Sequence, residues 1–160
     1  VKNLVYLPGN ATLLPLRSLT PSTLLSDMSL NCVSVLPLLQ HTLPGLKKHQ
    51  GSVTLVSTVA VGQGFTRHVS VSAAKGAVEG MTRALAAELA PKVRVNCVAP
   101  SLIRGSSIAS PFTSDPKMED AVAKAHPLKR LGEAADVAEA VGFLSGEGAG
   151  WVTGQVWGVD

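Results

Sequence analysis

Aromatic residues are scarce in this chain, with one tyrosine, three phenylalanines and two tryptophans among 160 residues. None alternates with the basic residues, and a net charge of +3 is spread thinly, so a nucleic-acid surface is not expected. The densest basic patch, Lys47-Lys48-His49, reads as a helix end, where cations complement the helix dipole. Cysteine is nearly absent. Cys32 and Cys97 lie in apolar segments without metal-ligand spacing. No metal is expected, and the two read as small buried hydrophobes of a soluble protein in a reducing compartment, cytoplasm or an organelle matrix or stroma. Unbroken apolar runs are missing as well. Leu30 to Leu46 is interrupted by Asn31, Gln40, His41 and two prolines, which reads as a packed helix and not a membrane span. The opening Val1-Lys-Asn-Leu-Val has no charged-then-apolar leader pattern, and a start without Met reads as an incomplete chain. Internal repeats and low-complexity tracts are absent.

What is present fits one domain with one core. The organising stretch begins with Val53 to Val56, a β-branched run that reads as a buried strand. It passes through a loop holding Gly62 and Gly64 and enters a long Ala-rich helix. Strand, loop and helix make half of a parallel α/β unit. Ser57 and Thr58 sit at the strand's C-terminal end, where ligands of open α/β sheets collect, and Lys75 lies one to two turns inside the helix.

Around this stretch, Leu4 to Leu7 reads as a short strand stopped by Pro8-Gly9. Thr20-Pro21 is a helix start, and apolar residues at 24, 25, 28, 32, 35, 36 and 39 hold one face of the helix that follows. Pro37 should kink that helix, Pro44-Gly45 should end it, and Asn31 is a polar residue inside the pattern that needs a partner. The helix carrying Lys75 has apolar residues at 74, 78, 81, 85 and 89 and a face of small residues from Ala73 to Ala87. Val93 to Ala99 alternates into a third strand ending at Pro100. A helical interlude is expected around Met118 to Ala125, a helix opens at Glu133 and runs to Leu144, and Trp151 to Asp160 reads as the last strand.

Thr58 lies thirteen residues before Val71, and Lys75 four after it; Pro100 and Ile103, then Thr153-Gly154-Gln155 and Val159-Asp160, follow at matching places. On these residues the chain resembles the second half of a short-chain dehydrogenase/reductase. The resemblance implies an α/β fold, a partial doubly wound, Rossmann-like parallel sheet of about four strands flanked by helices, forming one partial domain over residues 1–160. It implies catalytic roles for Asn31, Thr58 and Lys75, and cofactor contacts at Gly9, Ser57, Lys75, Pro100 and Ile103. The family's proton donor, a tyrosine, falls at Val71, which has no titrating proton. Tyr6, the only tyrosine, and His68 are the candidate replacements. Tyr6-Leu7-Pro8-Gly9 stands where the family has Asn-Asn-Ala-Gly, and Ser101 and Gly105 stand for a glycine and a threonine.

The glycine-rich turn that lets backbone amides meet a pyrophosphate is absent. NAD(P) is therefore expected only if an N-terminal half exists, and otherwise no cofactor. The Leu4–Leu7 edge should be covered by an upstream segment or a partner, because an open apolar edge invites association. The resemblance also implies a homo-oligomer through the two long helices, or a hetero-assembly. Three functions follow: a catalytically degenerate structural subunit, favoured by Val71; an NAD(P)-dependent oxidoreductase acting on a carbonyl or alcohol; and a non-catalytic dinucleotide sensor. A Ser/Lys hydrolase is set aside, since the sequence has no nucleophile elbow or oxyanion hole.

Overall fold

A computed structural model describes residues 1–160. Four strands, β1 (Asn3–Val5), β2 (Ser52–Val56), β3 (Arg94–Pro100) and β4 (Val156–Val159), pair in the order β1-β2-β3-β4, every pair parallel. Parallel neighbours require crossovers, and helices supply them. α1 (Pro21–Met28) and α2 (Val35–Lys48) join β1 to β2, and a short α3 (Ala60–Gln63) and the long α4 (Val69–Leu89) join β2 to β3. α5 (Ser110–Thr113), α6 (Pro116–Ala125) and α7 (Ala134–Ser145) join β3 to β4.

The pleat sorts the strands onto two faces. Val53, Leu55, Val95 and Cys97 point into one apolar cluster with Val35, Leu39 and Leu46 of α2 and Val78, Ala86 and Leu89 of α4. On the other face Ser52 and Thr54 bond Ser145 at the end of α7. Arg94 also reaches that end, donating to the carbonyls of Leu144 at 2.8 Å and Gly146 at 3.0 Å, which satisfies part of the helix terminus. The partial doubly wound sheet is thus covered on both faces, as the sequence led us to expect.

Local chemistry explains most element ends. Thr20 caps α1 by accepting from the Thr23 amide, with Pro21 in the first turn. Glu133 and Asp136 form a reciprocal capping box at the start of α7. Gly154 holds φ +72°, a left-handed conformation suited to glycine, in the turn before β4.

Four boundaries differ from expectation. The first strand is Asn3–Val5, not 4–7, because Pro8 and the loop that follows are drawn towards the helices. The last strand covers only Val156–Val159; Trp151 is fully exposed and lies in a turn. Pro37 does not kink a helix interior. A π-helical turn over Ser29–Val33, closed by the Ser34 amide on the Ser29 carbonyl at 2.9 Å, lets α2 restart at Val35, so Pro37 falls in a first turn where a missing N–H is harmless. Nor does Pro44-Gly45 end α2, which runs on to Lys48. Gln40 and Pro44 face solvent, which can take the freed carbonyl, while Leu39, Thr42 and Leu46 hold the other side in the core. By length and mean hydropathy of 1.3, Pro21–Lys48 could cross a bilayer; here its buried face packs into the domain and keeps Asp27 and Asn31 inside.

Candidate functional site

The carboxyl ends of β2 and β3 open into a cavity of about 680 Å³ lined by Gly9, Thr58, Val71, Lys75, Ser101 and Ile103, among others. One wall is a sewn polar cluster. Asp27, 1% exposed, accepts from Asn10 Nδ2 at 2.9 Å, Thr12 Oγ1 at 2.8 Å and Ser70 Oγ at 2.6 Å. Asn31, carried by the π turn, donates through Nδ2 to the Asp27 carbonyl at 2.9 Å and to Asn10 Oδ1 at 2.6 Å, while its Oδ1 accepts from the Asn10 amide at 3.2 Å. These bonds tie the loop after β1 to α1 and α4. The partner that a buried Asn31 needs is therefore both its own helix backbone and this loop.

Lys75 projects from the second turn of α4, 7% exposed, and its Nζ donates to the Val56 carbonyl at 2.9 Å. Burial lowers its pKa from 10.5; negative charge on Cys97 or Cys32 would oppose that shift. Burial in turn pushes Cys97 up to about 12, so this thiol stays protonated and inert. A Cβ on Gly9 would lie 2.6 Å from Asn31 Oδ1 and 2.9 Å from Lys75 Nζ. Only a residue without a side chain lets the loop come this close.

The second wall differs. Ser57 turns its hydroxyl to Glu79 Oε1 at 2.8 Å, so that group is taken. Thr58 Oγ1 accepts from the Ala60 amide at 3.3 Å, and its proton has no acceptor within the protein. Val71, 3% exposed, faces the cavity between them with no proton to give. Of the two candidate replacements, Tyr6 bonds Ser34 Oγ at 2.6 Å and does not line the cavity. His68 does line it, at the N-cap of α4, with Nδ1 on the Thr66 carbonyl at 2.8 Å.

Beyond β3, Pro100 to Ile103 form the third side. The Ser101 amide reaches the Val159 carbonyl at 3.0 Å, and Gly132 pairs with Ile103 as an isolated bridge. The amides of Leu102 and Ile103 donate to no protein acceptor, leaving two N–H groups available at the place expected to contact a cofactor. Ser101 Oγ lies 2.8 Å from His126 Nε2, and His126 Nδ1 lies 2.8 Å from the Val122 carbonyl. The structure thus gathers Gly9, Ser57, Thr58, Lys75, Pro100 and Ile103 around one space, with Asn31 buried behind Gly9 and not lining it. Sequence reasoning missed Asn10, Asp27 and His126. Asp27 could have been found four residues before Asn31, as a second polar group on an otherwise apolar helical face.

The sequence matches the family described as Enoyl-(Acyl carrier protein) reductase over residues 7–160. It is 37% identical over 133 residues to mouse dehydrogenase/reductase SDR family member 4, covering 80% of this chain and 46% of that protein. It is 32% identical over 162 residues to the 2,3-dihydroxy-2,3-dihydro-p-cumate dehydrogenase of Pseudomonas putida, covering 100% of this chain and 62% of that protein. Among solved structures, a short-chain dehydrogenase/reductase of the glucose/ribitol dehydrogenase type from Brucella melitensis is 32% identical with a TM-score of 0.91, over 99% of this chain and 63% of that one. ElxO with NADP bound is 26% identical with a TM-score of 0.90, over 99% of this chain and 65% of that one. The chain spans about half to three-fifths of the length of these curated relatives. With the parallel sheet, the spacing from Thr58 to Lys75 and this coverage in hand, the chain belongs to the short-chain dehydrogenase/reductase family.

Proposed function

We propose that this chain carries the substrate side of an NAD(P)-dependent oxidoreductase acting on a carbonyl or alcohol. The observation that carries the reading is the cavity at the ends of β2 and β3, where Lys75 stands behind Gly9 opposite the two free amides of Leu102 and Ile103. Those groups fit the nicotinamide-ribose end of a dinucleotide: a cation beside hydroxyls, and backbone donors for an amide oxygen. The NADP-bound relative supports the choice of cofactor. When bound, the cofactor supplies or accepts a hydride at the substrate carbon.

This chain's own residues would do the rest. Lys75, held by the Val56 carbonyl, would orient the ribose hydroxyls, and its burial keeps water from competing. Asn31, fixed by Asn10 and Asp27, would keep the Gly9 loop pressed on Lys75. Thr58 has an unused hydroxyl proton with which to hold the substrate oxygen. An upstream segment or partner strand would cover the outer edge of β1, where Val5 is 37% exposed.

A degenerate structural subunit is the second reading, and Val71 is the observation that favours it. Fluorescence titration with NADPH and with NADH, followed by a panel of small ketones, separates the two. Saturable binding and consumption of the reduced cofactor support the oxidoreductase. Absence of binding, both by this chain and by a version extended upstream, overturns it in favour of the subunit.

A further inference from the structure

We propose that Ser101 and His126 form the proton-transfer pair of this cavity, acting on the substrate oxygen in place of the side chain that Val71 lacks; this rests on the oxidoreductase reading above. Four titratable side chains line the cavity: His68, Lys75, His126 and Asp160. Two have other work: the Lys75 ammonium holds the Val56 carbonyl, and Asp160 accepts from Gln63 Nε2 at 2.9 Å. His68 Nδ1 lies on the Thr66 carbonyl, and its Nε2 bonds no hydroxyl. His126 alone is bonded to a hydroxyl that also lines the cavity.

The pair's geometry assigns its protons. The Val122 carbonyl can only accept, so Nδ1 carries the ring proton of neutral His126. Nε2 is then a bare acceptor, and the Ser101 hydroxyl donates to it at 2.8 Å. A serine whose proton is drawn towards a histidine, itself oriented by a third group, has the arrangement that activates a hydroxyl. Ser101 lies just past the end of β3. Val59, next to Thr58, donates its amide to the Pro100 carbonyl at 3.2 Å, so the two hydroxyl-bearing residues occupy neighbouring strand ends. Thr58 supplies a spare donor and Ser101 Oγ a spare acceptor, the two contacts that an alcohol oxygen requires.

In alcohol oxidation the carbinol C–H bond breaks and its electron pair leaves as hydride to an oxidised nicotinamide. The O–H proton passes to Ser101 Oγ as the serine proton passes to His126 Nε2, giving a ketone and an imidazolium. Carbonyl reduction is the reverse: the carbonyl carbon accepts hydride from a reduced nicotinamide, its oxygen takes the Ser101 proton, and His126 Nε2–H replaces that proton.

The test has two arms. Without cofactor, ¹⁹F NMR follows 2,2,2-trifluoroacetophenone, whose electrophilic ketone and hydrate both seek a hydroxyl partner. The chain should bind the probe, and Ser101→Ala should weaken binding by about tenfold while Ser101→Thr retains it. Equal binding by Ser101→Ala, with an unchanged melting temperature, overturns the pair whatever the cofactor does. With NADPH or NADH, reduction of the same ketone should fall on the order of 100-fold in kcat in Ser101→Ala and His126→Ala, with the cofactor's Kd unchanged. Added imidazole should restore His126→Ala, which a purely structural histidine would not permit. Undiminished turnover in Ser101→Ala, no rescue by imidazole, or cofactor binding without any reduction by the wild-type chain each overturns the pair. Probe binding that depends on Ser101, with no cofactor binding by this chain or by a version extended upstream, overturns the oxidoreductase reading and leaves the activated hydroxyl standing.

Discussion

The two walls of the cavity are built on different terms. On the wall of Gly9, Asn31 and Lys75, the polar side chains are locked to one another or to backbone, and a single added carbon on Gly9 would collide with two of them. On the facing wall, taken as the second and third sides together with Thr58, Val71 and Ser101, a hydroxyl proton is unused, a valine stands where a phenol would complete the family pattern, and a serine answers to a histidine 25 residues away. The first wall sets shape and position. The second would set where a proton goes. On the proposed function, positioning and proton chemistry would then be separable, so that one could be altered while the other stands.

Val71→Tyr tests that separation most strongly. A phenol placed next to Lys75 should raise carbonyl reduction by about 100-fold or more, measured as NADPH consumption with a ketone panel, if the first wall already positions cofactor and substrate. No gain, together with no cofactor binding, would mean that the first wall positions nothing. Gly9→Ala attacks that wall directly. Asn31 cannot retreat without breaking its bonds to Asn10 and Asp27, so overpacking should cost about 1–3 kcal/mol in urea unfolding and weaken NADPH binding alongside.

Lys75→Met separates binding from stability. Removing the ammonium should lower NADPH affinity by about tenfold. Its effect on stability should be small near neutral pH, since the charge is already poorly solvated. Because the folded pKa lies below 10.5, the unfolded chain holds more protons between that lowered value and 10.5. Wild-type stability should therefore gain a rising contribution as pH climbs through this window, and Lys75→Met should lack it. Urea melts at several alkaline pH values compare the slopes.

The smallest effect lies outside both walls. Asp136 is held down to about 2, first by its hydrogen bonds from Arg130 and then by the Glu133 amide. Its contribution is present above its ordinary 3.8 and is lost as pH falls towards 2. The melting difference between wild type and Asp136→Asn should disappear over that interval, and persistence of the difference would break the assignment.

Much of this was legible in the sequence because parallel α/β units repeat simple signals. The β-branched run at Val53, the cap at Thr20 and the helical spacing after Lys75 each fixed an element from neighbouring residues alone. The gathering of Gly9, Asn31 and Lys75 was implied by family spacing. The boundary at Pro37 was not legible, because no local pattern reports the π turn that restarts the helix, and that at Pro44 was not, because tertiary burial of Leu39, Thr42 and Leu46 overrides the local penalty of proline. Ser101 stood out as a replaced glycine, but His126 did not. The loop after β3 returns through the Ile103–Gly132 bridge, and no short-range pattern reports that closure.

The π turn at Ser29–Val33 acts as a phase shifter. It adds one residue to the helical run before α2 restarts, so the face that α1 presents and the face that α2 presents are offset by roughly 100°, the angular step of one helical residue. Asp27 and Asn31 can then meet the loop after β1 while Val35, Leu39 and Leu46 meet the sheet. Deleting any one residue between Ser29 and Val33 would return the run to a plain α-helix, able to keep its grip on the loop or its seat on the sheet, but not both.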